Sequence, residues 1–332
     1  MKTNRTDFRS LLMMFMVLLV WALGPAAQAA PRVPGPLVDT AWLAAQQGDA
    51  GIAIIDVRDD PANFDRQLSD KDKADPKAPI VGHIPGARLL DWKLVRETRE
   101  IDGVKLDKMV LAPEAFEKLM RQLGISNDQA VVIASNGKDS NSVTMATRVY
   151  WMLKYYGHDN MALLDGGLKK WLAESRPVAF DKAGIAPSQF LAGKPRSELL
   201  ASLADVEKAV SAKSAQLIDG RTADYYVGQN MTSDVKGKGH LPGARMLAHK
   251  DLIDEKTGTF LPKGELLALA SDAGIATDGE AIAYCNTGHL GSGPWFVMSE
   301  VLGNGKAKLY DGSMHEWTKN SSRPISRKWE MK

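Results

Sequence analysis

The feature that most constrains the fold is a block that occurs twice, Gly-His-[Ile/Leu]-Pro-Gly-Ala-Arg at residues 82–88 and again at residues 239–245. Further pairs keep the same order along the chain: Ile54-Ile55-Asp56-Val57-Arg58 with Leu217-Ile218-Asp219-Gly220-Arg221, Gly124-Ile125 with Gly274-Ile275, and Leu164-Asp165-Gly166-Gly167 with Tyr310-Asp311-Gly312-Ser313. Matched blocks are 146 to 163 residues apart. That interval is the size of a domain and far exceeds the roughly 20 to 50 residues of a solenoid repeat. The sequence therefore predicts two domains of the same fold.

Within each half, short apolar runs alternate with amphipathic segments. The predicted strands are 52–57, 130–134, 161–164, 215–218, 281–284 and 306–310, and the predicted helices are 113–123, 142–156, 202–212, 262–272 and 292–302. Strands that are apolar on both faces and separated by helices indicate a parallel sheet covered on both sides. We therefore predict an α/β fold with an N-terminal domain over residues 36–180, a linker over 181–200 and a C-terminal domain over 201–326.

Residues 1–29 differ in character from the rest of the chain. A basic start with Lys2, Arg5 and Arg9 precedes an apolar run from Leu11 to Leu23, and the small-residue site Ala27-Gln28-Ala29 follows. This order is typical of a secretory signal peptide. The run of 13 apolar residues is shorter than the roughly 20 that a membrane-spanning helix needs. We expect cleavage after Ala29 and a periplasmic or secreted protein without a membrane span once the signal is removed.

Composition and charge limit the classes of partner. Removal of residues 1–29 takes away three of the 42 basic residues and one of the 40 acidic residues and leaves 39 of each. A neutral mature chain has no broad basic surface, and nothing in the sequence indicates a nucleic-acid partner. One cysteine and scattered histidines do not make a set of metal ligands, so we expect neither a metal nor a cofactor.

The chain contains a single cysteine, Cys285. It cannot form an internal disulfide, although exported proteins normally use cysteines in pairs. Cys285 follows the predicted strand 281–284 and precedes the helix predicted from Ser292. Backbone N–H groups and a helix N-terminus converge at such a junction, and both stabilise a thiolate over a thiol. We therefore interpret Cys285 as a nucleophile that carries sulfur; a buried, unreactive thiol is the alternative.

The repeated blocks, together with the run Ala307–Trp317 near the C-terminus, resemble the rhodanese family. Two copies in tandem resemble the thiosulfate and 3-mercaptopyruvate sulfurtransferases of that family, in the exported bacterial type. The resemblance implies two rhodanese-like domains, with the nucleophile in the C-terminal one and a structural N-terminal domain that has Ser135 in place of Cys285. It also implies a monomer whose site faces the domain interface.

The resemblance further implies a reaction and the residues that carry it. Cys285 would take a sulfane sulfur from thiosulfate or a similar small donor as a persulfide, and would pass it to cyanide, a thiol or a protein acceptor. The residues assigned to substrate binding are the rest of the active loop and one arginine: Asn286, Thr287, Gly288, His289, Leu290, Gly291 and Arg221. Asp219 is interpreted as a residue that organises the loop through backbone N–H groups.

Several departures from the family pattern bear on the donor. The loop has no lysine or arginine, Leu290 stands where threonine or arginine is usual, and Tyr225 stands where thiosulfate enzymes tend to carry another arginine. Fewer fixed charges predict a weaker attraction for a dianionic donor. His289 has three interpretations, which are a general acid, a charge for the donor, or a loop residue that faces solvent.

Two other functions remain open. The first is a sulfur-binding or relay protein that accepts persulfide sulfur from a protein partner without turnover, which the uncharged loop favours. The second is a redox-sensing or structural module in which Cys285 is merely oxidised. A phosphatase of the same fold is disfavoured, because Gly291 stands six places after Cys285 where arginine would be needed to bind phosphate.

Overall fold

The computed structural model describes residues 31–73, 75, 77–182 and 184–329, and the predicted signal peptide lies outside the described residues. The strands are β1 (Leu37–Val38), β2 (Ile52–Arg58), β3 (Ala87–Asp91), β4 (Glu97–Ile101), β5 (Val104–Met109), β6 (Ala130–Ser135), β7 (Met161–Leu164), β8 (Gln216–Asp219), β9 (Arg245–Met246), β10 (Ala281–Tyr284) and β11 (Ala307–Leu309). The helices are α1 (Thr40–Ala45), α2 (Asp70–Lys73), α3 (Pro113–Gln122), α4 (Ser140–Tyr155), α5 (Gly167–Ala173), α6 (Leu203–Ala212), α7 (Ala223–Tyr226), α8 (Lys263–Asp272), α9 (Ser292–Phe296) and α10 (Ser313–Trp317).

Two parallel sheets form the two halves of the molecule. The strand order is β1-β7-β6-β2-β3 in the first sheet and β11-β10-β8-β9 in the second. Every paired strand within these two sheets is parallel. The prediction of an α/β fold with two parallel sheets is confirmed. An antiparallel hairpin of β4 and β5 belongs to the first half and was not predicted.

The register of the sheets shows which residues of the two halves correspond. Asp56 lies opposite Ala134 in the first sheet, and Asp219 lies opposite Tyr284 in the second. The next residues along, Ser135 and Cys285, therefore hold the same place in their halves, as the repeat predicted.

The predicted strands agree with the observed ones to within one residue, and most helices agree to within two. The start of α6 is a capping box, because Ser202 Oγ accepts from Asp205 N and Asp205 Oδ2 accepts from Ser202 N. The helix predicted over 292–302 is the exception. It is α-helical only in α9 and continues as a π-turn over Val297–Val301, in which Leu302 N donates to Val297 O at 2.8 Å. The spacing of apolar residues in the sequence does not distinguish an α-helix from a short π-helical turn, so this change of hydrogen-bond pattern was not predicted.

The two halves share one apolar layer, while the opposite face of each sheet has a layer of its own. In the shared layer α4 packs against α9. The rings of Tyr150 and Phe296 meet edge to face with centroids 5.0 Å apart. A Cβ at Gly293 would lie 2.9 Å from Thr144 Cγ2, so glycine is what permits this close approach. Because α9 leads directly out of the Cys285 loop, this packing positions the loop against the first half.

The connection between the halves is packed rather than free. Phe190 is completely buried, and its carbonyl accepts from Arg121 Nε on α3 at 2.8 Å. Ser188 N donates to the carbonyl of the same arginine. The segment predicted as a polar linker therefore lies against the N-terminal half, and the residue bounds assigned to the two domains stay predictions.

Candidate active site

Cys285 lies at the carboxyl end of β10, the strand that runs between β8 and β11. Residues 285–291 form a loop there, and α9 begins at Ser292. Cys285 is almost completely buried, yet it lines a pocket of about 310 Å³ between the two halves. Ligands bind beyond the carboxyl ends of the strands in open parallel sheets, and the only cysteine of the chain stands at that place.

Ser313 holds the two ends of the loop together. Its Oγ accepts from Cys285 N at 3.1 Å and from Gly288 N at 3.0 Å, and it donates to Tyr310 O at 2.7 Å. Ser313 has a φ of 50°, a left-handed conformation that costs a residue with a Cβ about 1 kcal/mol or more. The sequence analysis did not single out this serine, although it is the residue that the first half replaces with Gly167.

The remaining loop amides are available to an anion. Within the described chain, no hydrogen bond is donated by the backbone N–H groups of five loop residues: Asn286, Thr287, His289, Leu290 and Gly291. Successive N–H groups in a turn form a concavity that binds negative charge. Gly288 is required at the bend, because its φ is 73° and a Cβ there would lie 2.5 Å from Asp311 Oδ1. The loop can therefore accommodate a thiolate, a persulfide or the oxyanion of a donor.

Asp219 and Arg221 support the loop from behind. Arg221 Nη2 lies 2.6 Å from Asp219 Oδ2 and 2.8 Å from Gly239 O, and its Nη1 donates to Asn286 Oδ1 at 3.2 Å. Burial alone would lower the pKa of Arg221, but the paired carboxylate raises it on balance. Asp219 also accepts from Arg221 N, which is the backbone contact expected of a loop-organising residue. Arg221 reaches the loop through Asn286, and its direct contact with a donor stays a prediction.

His289 does not face solvent, so that interpretation of it is wrong. The side chain is 8% exposed, and Nε2 lies 3.0 Å from Thr144 Oγ1 and 3.2 Å from Asn141 O. Thr144 gives its own proton to Asn141 O, so His289 is the donor to the threonine. Burial and the nearby charges of Arg96 and Arg148 hold the pKa of His289 well below its usual value. His289 is therefore neutral, which is also against its use as a fixed charge for the donor.

The N-terminal half supplies one side of the pocket, in agreement with the expected site at the domain interface, but the sequence analysis did not identify the residues of that half that line it. The lining residues from that half are Asp59, Trp92, Arg96, Lys108, Asn141 and Met145, and those outside the loop from the other half are Thr232 and Asp234. The loop itself is uncharged, as its sequence shows, but Arg96 and Lys108 face it across the interface, together with the carboxylates of Asp59 and Asp234. The charges that a donor meets in this pocket therefore lie outside the loop. No motif marks these cations, because only the docking of the halves brings them to Cys285.

The β4–β5 hairpin supplies Lys108 to this wall, directly follows Arg96 and is bonded to the C-terminal half. Val110 N donates to Asp311 Oδ2 at 2.7 Å, and Asp107 N donates to His315 Nε2 at 3.1 Å. Lys108 Nζ lies 2.6 Å from Asp234 Oδ2. Each bond joins the hairpin to a residue that follows or faces the active loop, so the hairpin keeps a fixed distance from Cys285.

The corresponding site in the first half is closed. The loop between Ser135 and the start of α4 at Ser140 is two residues shorter than its counterpart. Residues of the other half cover it, since a Cβ at Gly258 would lie 2.7 Å from Gly137 O. Phe260 N donates to Asp165 Oδ1 in the same region. A second reaction centre has no space here, and the first half contributes walls instead.

The described residues contain no group of three or more histidine, cysteine or acidic residues that could hold a metal ion. None of the described helices has the length and apolar character needed to cross a membrane.

The chain has two α/β domains with parallel sheets, and one of them presents a lone thiol in an amide-lined loop. These features define a class of tandem-domain proteins with a single nucleophile. A model of the rhodanese-like domain matches residues 39–174 and 202–320. The chain therefore belongs to the rhodanese-like family, as the resemblance of its repeated blocks predicted.

Three known proteins illustrate the relationship. A Saccharopolyspora erythraea protein named "Putative thiosulfate sulfurtransferase" is 32% identical over 85% of this chain and 92% of its own length. The sulfur carrier protein TtuD of Thermus thermophilus is 31% identical over 89% of this chain and 97% of its own length. Among solved structures, Escherichia coli SseA, described as a 3-mercaptopyruvate sulfotransferase, is similar with a TM-score of 0.68 and 27% identity, over 84% of this chain and 98% of SseA.

Proposed function

We propose that this protein is a sulfurtransferase that moves a sulfane sulfur from a small anionic donor to a nucleophilic acceptor through a persulfide on Cys285. The observation that carries the proposal is the setting of the thiol. Cys285 lies in a pocket beside five loop amides that donate to no protein group among the described residues, and Arg96 and Lys108 of the other half line the same pocket. Membership of the rhodanese-like family and the similarity to a named thiosulfate sulfurtransferase support it.

The reaction takes two displacements. With thiosulfate, the Cys285 thiolate attacks the outer sulfur, a new S–S bond forms, the old S–S bond breaks, and sulfite leaves with the electron pair. An acceptor such as cyanide then attacks the outer sulfur of the persulfide, forms thiocyanate and returns the thiolate. The loop amides stabilise negative charge on the sulfur in both states. His289 is neutral in this arrangement and positions the loop against Thr144.

The residues have separate roles in this scheme. Cys285 carries the sulfur, and the amides of the loop residues other than Gly288 bind the negative charge. Arg221 holds the side chain of Asn286 and is itself held by Asp219, while Ser313 ties the loop closed.

Intact mass of the purified protein after brief exposure to thiosulfate tests the proposal, with Cys285→Ser as the matched control. One added sulfur that is absent from the serine variant and is removed by cyanide is the expected result. An unchanged mass after thiosulfate, mercaptopyruvate and polysulfide in turn would refute a sulfur-transfer function. Added sulfur on the serine variant would move the chemistry to another residue.

A relay is the second candidate, and the similarity to the sulfur carrier TtuD favours it. In this role Cys285 accepts persulfide sulfur from a protein partner and turns over small donors poorly. Steady-state rates with small donors and cyanide separate the two functions. A stable persulfide on Cys285 with slow turnover of every small donor indicates a relay, whereas fast multiple turnover indicates an enzyme of small sulfur compounds.

Export is proposed from the sequence of residues 1–29, with processing after Ala29 and a periplasmic or secreted mature protein. The N-terminal sequence of the protein recovered from the extracytoplasmic fraction tests this. A mature chain that starts at Ala30 supports the proposal, and recovery of the full-length chain from the cytoplasm refutes it.

A further inference from the structure

Arg96 is the unusual charge of the pocket. It follows a 3-10 turn at Trp92–Val95, and its guanidinium lies 4.4 Å from the centroid of the Trp92 ring. The side chain is half-buried. Throughout residues 31–329, as far as they are described, it forms no hydrogen bond and no ion pair. Its nitrogens are not among the buried side-chain atoms that lack a partner, so they face the open pocket, where they can donate to a bound anion.

The other charges of the pocket are already engaged. Lys108 is paired with Asp234, and Asp59 is paired with Lys138. The neighbouring His289 is neutral. Arg96 therefore remains the lining cation with N–H donors still to satisfy.

The cations nearer to the sheet are engaged as well. Arg148 lies 2.6 Å from Asp311 Oδ1, and Arg221 is bound to Asp219. Burial and the positive charge of Arg148 lower the pKa of Arg96, and an anion bound beside the guanidinium would oppose this shift by favouring the charged form.

The position of Arg96 is fixed relative to the active loop. Trp92 contacts Arg96 on one side and, with ring centroids 4.4 Å apart, the loop residue His289 on another. The side chain of Val95 is completely buried, and this burial fixes the turn that directly precedes Arg96. A group bound by Arg96 is thus held in one place with respect to Cys285.

We infer that Arg96 is the donor-recognition residue of the site, which binds the oxyanion of the group that leaves when Cys285 takes the sulfur. This inference rests on the proposed sulfur transfer and narrows its donor to compounds with an anionic leaving part, such as a sulfonate or a carboxylate. The planar guanidinium offers parallel N–H groups to two oxygens of that part. As the S–S bond of thiosulfate breaks, the electron pair moves onto the departing sulfite, and Arg96 stabilises the charge that accumulates there.

The N-terminal half then determines which donor is used, while the C-terminal half holds the sulfur. This assignment explains how a loop without lysine or arginine is compatible with an anionic donor. It also gives the half without a cysteine a direct part in recognition.

Arg96→Met tests the inference, with Arg99→Met as the matched control. Arg99 lies on β4, shortly after Arg96 in the sequence, is 3.9 Å from Glu97 and does not line the pocket. The two donors compared are thiosulfate and an aromatic thiosulfonate, which has the same S–S bond but an aryl group in place of one anionic oxygen. Loss of one or two charge-assisted hydrogen bonds predicts a fall in kcat/KM for thiosulfate of roughly tenfold to a hundredfold. The fall for the thiosulfonate is expected to be several times smaller, Arg96→Lys recovers part of the loss, and Arg99→Met matches the wild type.

Equal losses with both donors, or no loss with either, would overturn the inference. Thermal unfolding of each variant shows whether a loss comes from misfolding, and a folded Arg96→Met that keeps full thiosulfate activity refutes the role directly. The proposed function is judged separately by intact mass of the wild type. If the wild type takes up sulfur and the two donors respond alike to Arg96→Met, only the role of Arg96 fails. If the wild type takes up no sulfur from any donor, the proposed function fails first.

Discussion

We predict that the hydroxyl of Ser313 is the main group that holds the active loop in its conformation. The substitution Ser313→Ala removes this hydroxyl and leaves the rest of the residue in place. The variant keeps the Cβ and the left-handed backbone at φ 50°. It loses the acceptor for Cys285 N and Gly288 N and the donor to Tyr310 O. All of these groups are buried, so water does not replace the lost partner without rearrangement of the loop.

The expected loss in the free energy of unfolding follows from the three hydrogen bonds of the Ser313 hydroxyl. Each contributes about 1 kcal/mol net, so the free energy of unfolding falls by roughly 3 kcal/mol in Ser313→Ala. Ser313→Gly loses the same bonds but relieves the left-handed strain by about 1 kcal/mol, and part of that gain is offset by the greater freedom of glycine in the unfolded chain. The glycine variant is therefore expected to be destabilised slightly less than the alanine variant.

Denaturant unfolding and sulfur transfer are measured on both variants. We expect sulfur-transfer activity to fall at least tenfold in each, because the freed amides of Cys285 and Gly288 no longer hold one loop conformation. The reasoning is refuted if Ser313→Ala unfolds at the wild-type midpoint and transfers sulfur at the wild-type rate. A glycine variant less stable than the alanine variant would refute the strain assigned to φ.

Three further outcomes are expected. Gly288→Ala places a Cβ 2.5 Å from Asp311 Oδ1 at a positive φ, so persulfide yield by intact mass falls sharply, and a wild-type yield would contradict the geometry. Tyr150→Phe removes a 2.8 Å bond to Glu300 across the domain interface, so unfolding becomes easier by about 1 kcal/mol with sulfur transfer unchanged. The pKa of His289 is lower in the folded protein than in the unfolded chain, so its contribution to stability is present above about pH 6.5 and is lost as the pH falls further. His289→Gln should reduce this dependence of the denaturant midpoint on pH.

The sequence predicted those parts of the fold that depend on local pattern. Apolar runs bounded by turns located both central strands of the C-terminal sheet, and the matched blocks placed Ser135 and Cys285 at equivalent positions. His83 and His240, which hold the same place in the two repeated blocks, are buried and stack on Phe64 and Tyr226. Repetition is informative here, since a residue that recurs at the equivalent position of the half without a thiol does not depend on that thiol.

The parts that were missed depend on contacts between distant segments. Arg96 and Lys108 are about 180 residues before Cys285, and neither has a neighbour in the sequence that marks it as part of a site. The burial of His289 is likewise set by Trp92 and Thr144 of the other half. The uncharged loop shows only one side of the pocket, because the opposite wall belongs to a different domain.

This division of the pocket argues that the C-terminal half does not form its site alone. Asp311 lies directly behind Gly288, and its carboxylate is bound by Arg148 and by Val110 N, both from the N-terminal half. Removing one partner of a buried ion pair costs about 3 to 5 kcal/mol, because a charge is left without compensation. Without the N-terminal half, Phe296 on α9 would also lose the aromatic face that packs against it. The half that lost or never had the cysteine is therefore needed for the loop conformation itself, in addition to the recognition of the donor.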